Sequence, residues 1–180
     1  SASRDGDAYD AALLFDRANA AVREQRCGEA IADYERLVRE FPDNRRVWVS
    51  QYNRGLCLQR MSRLHEAADA MRAAARDPVD NELTRDASFR LAVLGEQAQE
   101  PRWVVEATDA LLARSRLEIT DRVEALARRA SALLAQGDRD GARATLEALA
   151  VDRLRFVATD DAALAVLRGA DLGIEVPDQL

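Results

Sequence analysis

The sequence predicts an all-α protein, a solenoid of about four helical hairpins followed by a C-terminal capping helix, and two observations support this. The first is a repeat, because Ala30 has counterparts at Ala67, Val104 and Ala142, at spacings of 37, 37 and 38 residues. This period is typical of stacked hairpins, none of which can bury its apolar face alone. The second is composition, because apolar residues make up 48% of the chain but aromatic residues only 5%. Alanine and leucine make up most of the apolar residues that are not aromatic, and this composition favours close-packed helices over sheets.

The apolar residues of each repeat follow the period of an α-helix. In the second helix of every unit, apolar or small residues stand at offsets 0, 4, 7 and 8, which form one stripe along a helix. A small residue also recurs in every first helix, where it allows the two helices of a hairpin to approach closely. The stripes are Ala30/Tyr34/Leu37/Val38, Ala67/Met71/Ala74/Ala75, Val104/Thr108/Leu111/Leu112 and Ala142/Leu146/Leu149/Ala150, and the small residues are Ala18, Gly55, Ala92 and Ala130.

Turn and stop signals divide the chain in order. Residues 1–8 are small and polar, so we expect a flexible N-terminus. Pro42 and Pro78 stop the first two units, and Pro101 suits the first turn of a helix. The period ends after Val151, so a closing helix over 162–168 and a tail are expected beyond it. The predicted segments are four repeats at about 9–44, 45–81, 82–119 and 120–151, then a capping helix and tail at 152–180.

These features resemble the tetratricopeptide repeat family. The usual unit of that family has about 34 residues, so the hairpins of this chain are slightly longer. Thr108 also stands where the family prefers an aromatic residue. The resemblance covers roughly Tyr9 to Val151, and it implies a right-handed superhelix whose first helices line a concave groove. The first unit matches the family signature best, with Leu14, Ala18, Ala21, Ala30, Tyr34 and Pro42 at the expected spacing.

The charge balance argues against a nucleic-acid partner. The formal net charge is −6 and the sequence pI is about 5.0, whereas nucleic-acid binding usually needs a basic face. All 26 basic residues are arginine, which we interpret as codon bias in a GC-rich bacterial genome. No apolar run approaches the ~20 residues of a membrane span. The compartment stays open between periplasm and cytoplasm, because a targeting segment could precede Ser1.

Nothing in the sequence indicates catalysis, and no cofactor or metal is predicted. His65 is the only histidine, and it opens a predicted helix without a cysteine nearby. No glycine-rich phosphate-binding loop occurs. The segment Asp138-Arg139-Asp140-Gly141 is similar to part of a calcium loop, but the third acidic position and the distal glutamate are missing. We therefore predict an ordinary turn there.

The two cysteines could form a disulfide. Cys27 falls in the turn of the first hairpin and Cys57 in the first helix of the second. Because neighbouring hairpins stack in a solenoid, a bond between them is geometrically conceivable. The sequence favours the alternative, in which both are small, half-buried residues without a bond.

The predicted binding site is periodic. An aromatic residue recurs at intervals of 37 residues in the first three units, followed each time by a polar or charged residue. In the family that the chain resembles, this part of the first helices faces the groove. Aromatic rings supply contact area, asparagine can hold a peptide backbone, and arginine can hold a carboxylate. Alternatively, the aromatic residues pack between adjacent hairpins. The candidate residues are Phe15, Asn19, Arg23, Tyr52, Asn53, Leu56, Arg60, Phe89, Arg90, Val93, Gln97 and Arg128.

Some members of the family clamp the terminal carboxylate of a peptide with a set of lysine, asparagine and arginine residues. Here Asn53 and Arg90 match that set, but Ala12, Asp16 and Asp86 replace its other members. The sequence therefore favours a peptide or partner helix of mixed charge over a terminal carboxylate.

The favoured function is a non-catalytic protein–protein interaction scaffold that binds a peptide or partner helix in the groove. A second hypothesis is a periplasmic scaffold, because the long period and the ending Phe41-Pro42-Asp43-Asn44 resemble repeats of bacterial envelope proteins such as outer-membrane assembly lipoproteins. A third is the interaction or sensor domain of a larger enzyme or regulator. Self-association through the solenoid ends is also conceivable, since apolar residues lie near the C-terminus, at Leu164, Val166, Leu167 and Leu172.

Overall fold

The computed structural model describes the backbone of residues 2–156 and the side chains of residues 6–152. The predicted closing helix over 162–168 and the tail after it lie outside the described residues. The apolar residues considered for self-association lie outside them as well, at Leu164, Val166, Leu167 and Leu172.

Eight α-helices follow one another along residues 2–156, and this part of the chain contains no strand. Short turns join successive helices, as the repeat pattern predicts. The all-α class is therefore confirmed. The helices are α1 (Ala2–Arg23), α2 (Cys27–Glu40), α3 (Arg46–Arg60), α4 (Leu64–Ala74), α5 (Glu82–Gln97), α6 (Pro101–Leu112), α7 (Ile119–Ala135) and α8 (Arg139–Phe156).

The first helix begins earlier than the sequence predicts. α1 starts at Ala2, so residues 2–8 are helical where a flexible N-terminus was expected. Gly6 has the lowest helix propensity in this stretch, and one interior glycine costs only about 1 kcal/mol relative to alanine. The 22-residue helix continues through it, because the following turns pack on α2.

The buried core follows the predicted stripe. In all four second helices, the residues at offsets 0, 4 and 7 are at most 2% exposed, and those at offset 8 are half-buried. The recurring small residues of the first helices, from Ala18 to Ala130, are buried too. Full burial of a large apolar side chain contributes about 1.5–3 kcal/mol. Burial of the stripe therefore contributes to the stability of each second helix.

The chain divides into two compact units, Ser1–Leu94 and Gly95–Leu180, with the boundary inside α5. In the first, called unit 1, α1 packs on α2, α2 on α3 and α3 on α4. In the second, called unit 2, α6 packs on α7 and α7 on α8. The core of unit 2 includes Val123, Leu126, Leu133, Leu146 and Leu149.

Gly95 allows the end of α5 to lie close to the start of α6. A Cβ atom on this residue would stand 2.8 Å from Val104 Cγ2 and 3.0 Å from the carbonyl oxygen of Glu100. The carbonyl belongs to the backbone and Val104 is buried, so neither can move aside easily. Glycine at this position therefore sets the separation of the two helices in unit 2.

A disulfide joins Cys27 to Cys57, and the structure describes no free cysteine. The sequence favoured two unbonded residues, and that interpretation is wrong. The reason is the packing of α2 on α3, which brings the first residue of α2 to a Cα–Cα distance of 5.3 Å from Cys57, within the range of a disulfide. The bond links the first hairpin of unit 1 to the second.

Candidate functional site

Two predicted groove residues meet in unit 1 around a buried tyrosine. The Tyr34 hydroxyl donates a hydrogen bond to Asn19 Oδ1 at 2.5 Å, and Asn53 Nδ2 donates to the same oxygen at 3.4 Å. The three residues come from α1, α2 and α3, so this cluster joins three helices at one point. It holds the two half-buried asparagine side chains in fixed positions.

Tyr34 is protonated at neutral pH, as its role as a donor requires. The side chain is 1% exposed, and this burial raises the pKa of the hydroxyl above its usual value. A hydrogen bond from Asn53 and the positive charge of Arg23 lower that pKa in part. The guanidinium of Arg23 is thus close enough to the Asn19–Tyr34–Asn53 cluster to act on it electrostatically.

The two asparagines keep polar atoms without a partner in the part of the chain that the structure describes. Asn19 Oδ1 is occupied, but Asn19 Nδ2 and Asn53 Oδ1 form no hydrogen bond there. One is a donor and the other an acceptor. A peptide unit offers the complementary pair, a carbonyl oxygen and an N–H group.

Arg23 and Arg60 occupy the same position in consecutive hairpins, in the last turns of α1 and α3. Both are exposed, and neither forms an ion pair within residues 6–152. Other arginines of unit 1 do pair with carboxylates, as Arg17 does with Asp33 at 2.6 Å and Arg54 with Glu35 at 3.0 Å. Arg23 follows Asn19 by four residues, and Arg60 follows Asn53 by seven. These spacings are close to one and two turns of an α-helix, so each arginine lies on the same side of its helix as the asparagine before it.

The predicted aromatic residues of unit 1 are all half-buried. Phe15 packs against the cluster of Leu14, Leu37 and Val47, with its ring centroid 6.3 Å from that of Tyr34. Phe15 therefore fits the packing alternative of the sequence analysis. Of the remaining candidates in unit 1, Tyr52, Leu56, Phe89 and Val93 are half-buried and Arg90 is exposed.

In unit 2, the predicted residue Arg128 already holds carboxylates of this chain. Its Nη1 donates to both carboxylate oxygens of Glu96 at 2.6 Å, and its Nε donates to Glu124 Oε1 at 3.0 Å. Burial alone lowers the pKa of Arg128, but the hydrogen bonds and charges of the two glutamates outweigh it and raise the pKa. Gln97, the other candidate in unit 2, is exposed.

The residues that the structure describes contain no cluster of three histidine, cysteine, aspartate or glutamate side chains placed to hold a metal ion. None of their helices has both the length and the hydropathy of a membrane span.

A family model described as tetratricopeptide repeat matches residues 124–152, which cover most of α7 and α8. A search of the curated proteins finds none that matches. Among solved structures, the chain is similar to a tetratricopeptide repeat protein from Parabacteroides merdae ATCC 43184, with a TM-score of 0.67 and 16% identity. That alignment covers 90% of this chain and 60% of the other.

Two further structures are similar. BtubC (BKLC) from P. vanneervenii aligns with a TM-score of 0.57 and 15% identity, over 83% of this chain and 65% of that one. A double mutant named MamA RS-1 ArsTM aligns with a TM-score of 0.56 and 12% identity, over 90% of this chain and 97% of that one. At these identities the likeness concerns the fold. The chain spans less than two thirds of the length of the first two proteins.

Proposed function

We propose, on the premise that the chain is an α-solenoid of the tetratricopeptide repeat type, that it is a non-catalytic scaffold that binds a peptide or a partner helix. Proteins of this fold generally bind other proteins through repeated hairpins. Stacked hairpins present long surfaces built from successive helices, which suit extended partners. The partner site that we propose is the α1–α3 face of unit 1, defined by Asn19, Arg23, Asn53 and Arg60.

The observation that supports this site most directly is the Asn19–Tyr34–Asn53 cluster. Ordering a flexible side chain on binding costs about 0.5–1.5 kcal/mol, and a side chain already fixed by a hydrogen bond avoids part of that cost. Asn19 Nδ2 and Asn53 Oδ1 are the donor and acceptor that a peptide backbone needs. In the proposed complex they bond to one peptide unit of the partner.

Arg23 and Arg60 would supply the charge recognition. Their exposed guanidinium groups can each accept a carboxylate bidentately, since no carboxylate among the described side chains pairs with them. Asp16 is exposed one turn away from Asn19 and can pair with a basic residue. The face therefore suits a partner that has charges of both signs, with acidic side chains opposite the two arginines.

Charge reversal tests this proposal. The double variant Arg23→Glu/Arg60→Glu is expected to lose a partner captured by wild type from a lysate of the native organism, because two attractive contacts become repulsive. Arg76→Glu is the matched control, since Arg76 is also exposed, lies just beyond the end of a helix and forms no ion pair within the described residues. Capture is measured by quantitative mass spectrometry, and melting curves check that all variants fold. A partner retained equally by the double variant would contradict the α1–α3 face.

A second candidate function, a scaffold of the bacterial envelope, is favoured by the disulfide. Disulfides persist in oxidising compartments such as the periplasm and are rare in the reducing cytosol. The Cys27–Cys57 bond links two hairpins of unit 1, so it belongs to the folded core of that unit. We therefore propose that the scaffold works outside the cytoplasm.

Thiol trapping in the native organism tests the compartment. Cells are quenched in acid, and free thiols are then labelled with a maleimide reagent large enough to shift the protein on a gel. We expect no shift until a reductant is added, because both cysteines are bonded. The same chain produced in the cytoplasm of a laboratory host is the control for labelling. A full shift without reductant in the native cells would exclude an extracytoplasmic role.

A further inference from the structure

Unit 1 has a groove on its first hairpin, formed by two adjoining clefts of about 440 and 450 Å³ that share Glu40 and Phe41. The inner cleft lies between α1 and α2. The outer cleft lies between the N-terminal part of α1 and the turn that follows α2. We call the two together the first-hairpin groove. None of its lining residues belongs to the α1–α3 face, so the groove is a separate surface of unit 1.

The floor of the groove is apolar. Leu14 is 7% exposed and belongs to the core cluster around Leu37, and the half-buried Phe41 packs against that cluster. Leu13 lies at the edge of the inner cleft and is 51% exposed, and the exposed Tyr9 lies one helical turn before it on the same side of α1. Single exposed apolar side chains are common, whereas neighbouring ones beside a groove are typical of an interaction site.

The charged residues of the outer cleft are all acidic. They are Asp7, Glu40 and Asp43, and no basic side chain that the structure describes lines this cleft. Glu40 Oε1 accepts a hydrogen bond from Arg36 Nε at 2.9 Å. The carboxylates of Asp7 and Asp43 are exposed and form no ion pair or hydrogen bond within the described residues. The outer cleft therefore keeps unpaired negative charge.

The inner cleft does not offset this charge. Both of its guanidinium groups are already bound, since Arg17 donates to both carboxylate oxygens of Asp33, at 2.6 and 2.7 Å, and Arg36 donates to Glu40. Asp10 lines the inner cleft without a partner for its carboxylate in the described part of the chain. Over the whole groove, four carboxylates line the walls against two guanidinium groups.

Neither nearby arginines nor a metal site accounts for these carboxylates. Arg39, Arg45 and Arg46 are close in sequence but line neither cleft. Among the described residues, no acidic side chains are grouped to hold a metal ion. Separate, exposed carboxylates suit the separate basic side chains of a peptide.

We propose that the first-hairpin groove binds a basic segment of a partner protein, with one large apolar side chain on the floor and lysine or arginine side chains opposite Asp7 and Asp43. The excess of carboxylates selects the charge of the partner, and the apolar floor provides an anchor site. The proposal goes beyond the α1–α3 face, whose two arginines favour acidic side chains. A scaffold with two surfaces of opposite charge preference can hold two different partners.

Fluorescence anisotropy with synthetic peptides tests the charge preference. The probes are short labelled peptides in which one leucine or phenylalanine and several arginines stand at varied spacing, and a matched set has glutamate in place of arginine. They are titrated with the full chain and with Asp7→Asn/Asp43→Asn. Glu118→Gln/Glu147→Gln is the matched control, because it changes the net charge equally at two exposed acids of unit 2 that form no ion pair within the described residues.

We expect arginine peptides to bind wild type and the control equally, and to bind Asp7→Asn/Asp43→Asn about tenfold more weakly, the scale of two lost charge contacts. Glutamate peptides should not bind the groove. Arg23→Glu/Arg60→Glu should not weaken the binding of arginine peptides, so failure of the α1–α3 face and failure of the groove give different results.

Leu13→Gln tests the apolar part of the groove. It is expected to weaken the same arginine peptides several-fold, because it removes apolar contact area beside the floor. Met61→Gln is the matched control, since Met61 is 46% exposed and lines neither cleft. Equal binding to Leu13→Gln and Met61→Gln would overturn the apolar anchor.

Three results would overturn the basic partner. The first is that no arginine peptide binds wild type, and the second is that Asp7→Asn/Asp43→Asn binds as well as wild type. The third is equal weakening in both double variants, which would show attraction to the net charge alone. Sedimentation of the free chain tests the other occupant, because self-association that Asp7→Asn/Asp43→Asn abolishes would assign the groove to a second copy and contradict the proposal.

Discussion

Removal of the Cys27–Cys57 disulfide is expected to lower the free energy of unfolding by about 3 to 4 kcal/mol. The bond closes a loop between cysteines 30 residues apart, and cross-linking a loop of that length reduces the entropy of the unfolded chain by a corresponding amount. For a protein of this size, such a loss lowers the melting temperature by roughly 10 °C. The effect is large, because this loss is a substantial fraction of the free energy of unfolding of a typical domain.

The variant Cys27→Ala/Cys57→Ala measures this effect. Cys57 is 1% exposed, so alanine avoids the buried hydroxyl that serine would introduce. Denaturant unfolding of wild type is compared with and without a reductant, and with the variant under both conditions. We expect the reductant to destabilise wild type but not the variant. Equal unfolding midpoints for oxidised wild type and the variant would show that the bond contributes nothing to stability.

Tyr34→Ala is expected to destabilise unit 1 by about 3–5 kcal/mol, the range for truncating a buried aromatic side chain. Tyr34 is among the largest fully buried side chains and belongs to the stripe that packs α2 in the hairpin. Its loss would leave a cavity beside Phe15 and remove the hydroxyl that bonds to Asn19. Chemical denaturation with two-state analysis measures the change.

Tyr34→Phe separates the hydrogen bond from the packing. This variant keeps the ring and is expected to lose only about 0.5–1.5 kcal/mol, the net contribution of one hydrogen bond. Tyr9→Phe is the matched control, since Tyr9 is 66% exposed and should show no change. If Tyr34→Phe were as stable as Tyr9→Phe, the Asn19–Tyr34–Asn53 cluster would have no energetic role.

The core could be predicted because it depends on local periodicity. Residues such as Leu37, Met71 and Leu146 are buried because they share one side of a helix, and helical period follows directly from sequence spacing. The stripe recurs in all four repeats, so the helix assignment is consistent along the chain. Fold class therefore followed from the pattern alone.

The pairing of polar groups could not be predicted in the same way. Arg128 was considered a candidate for binding a partner carboxylate, but Glu96, 32 residues earlier, occupies its guanidinium. The apolar stripe predicts that Tyr34 is a core residue, and a buried tyrosine hydroxyl needs a hydrogen-bond partner. Which asparagine accepts that hydrogen bond depends on how α1, α2 and α3 pack, and the same packing decides whether Cys27 reaches Cys57.

The central claim, that the α1–α3 face of unit 1 binds a partner, is tested most directly by photo-crosslinking in the native organism. A photoreactive amino acid replaces Arg60 in one variant and Arg76 in another, and adducts are detected on gels after illumination. We predict a discrete cross-linked adduct from position 60 and none of the same mass from position 76. An adduct that forms only from position 76, or equally from both positions, would contradict the claim.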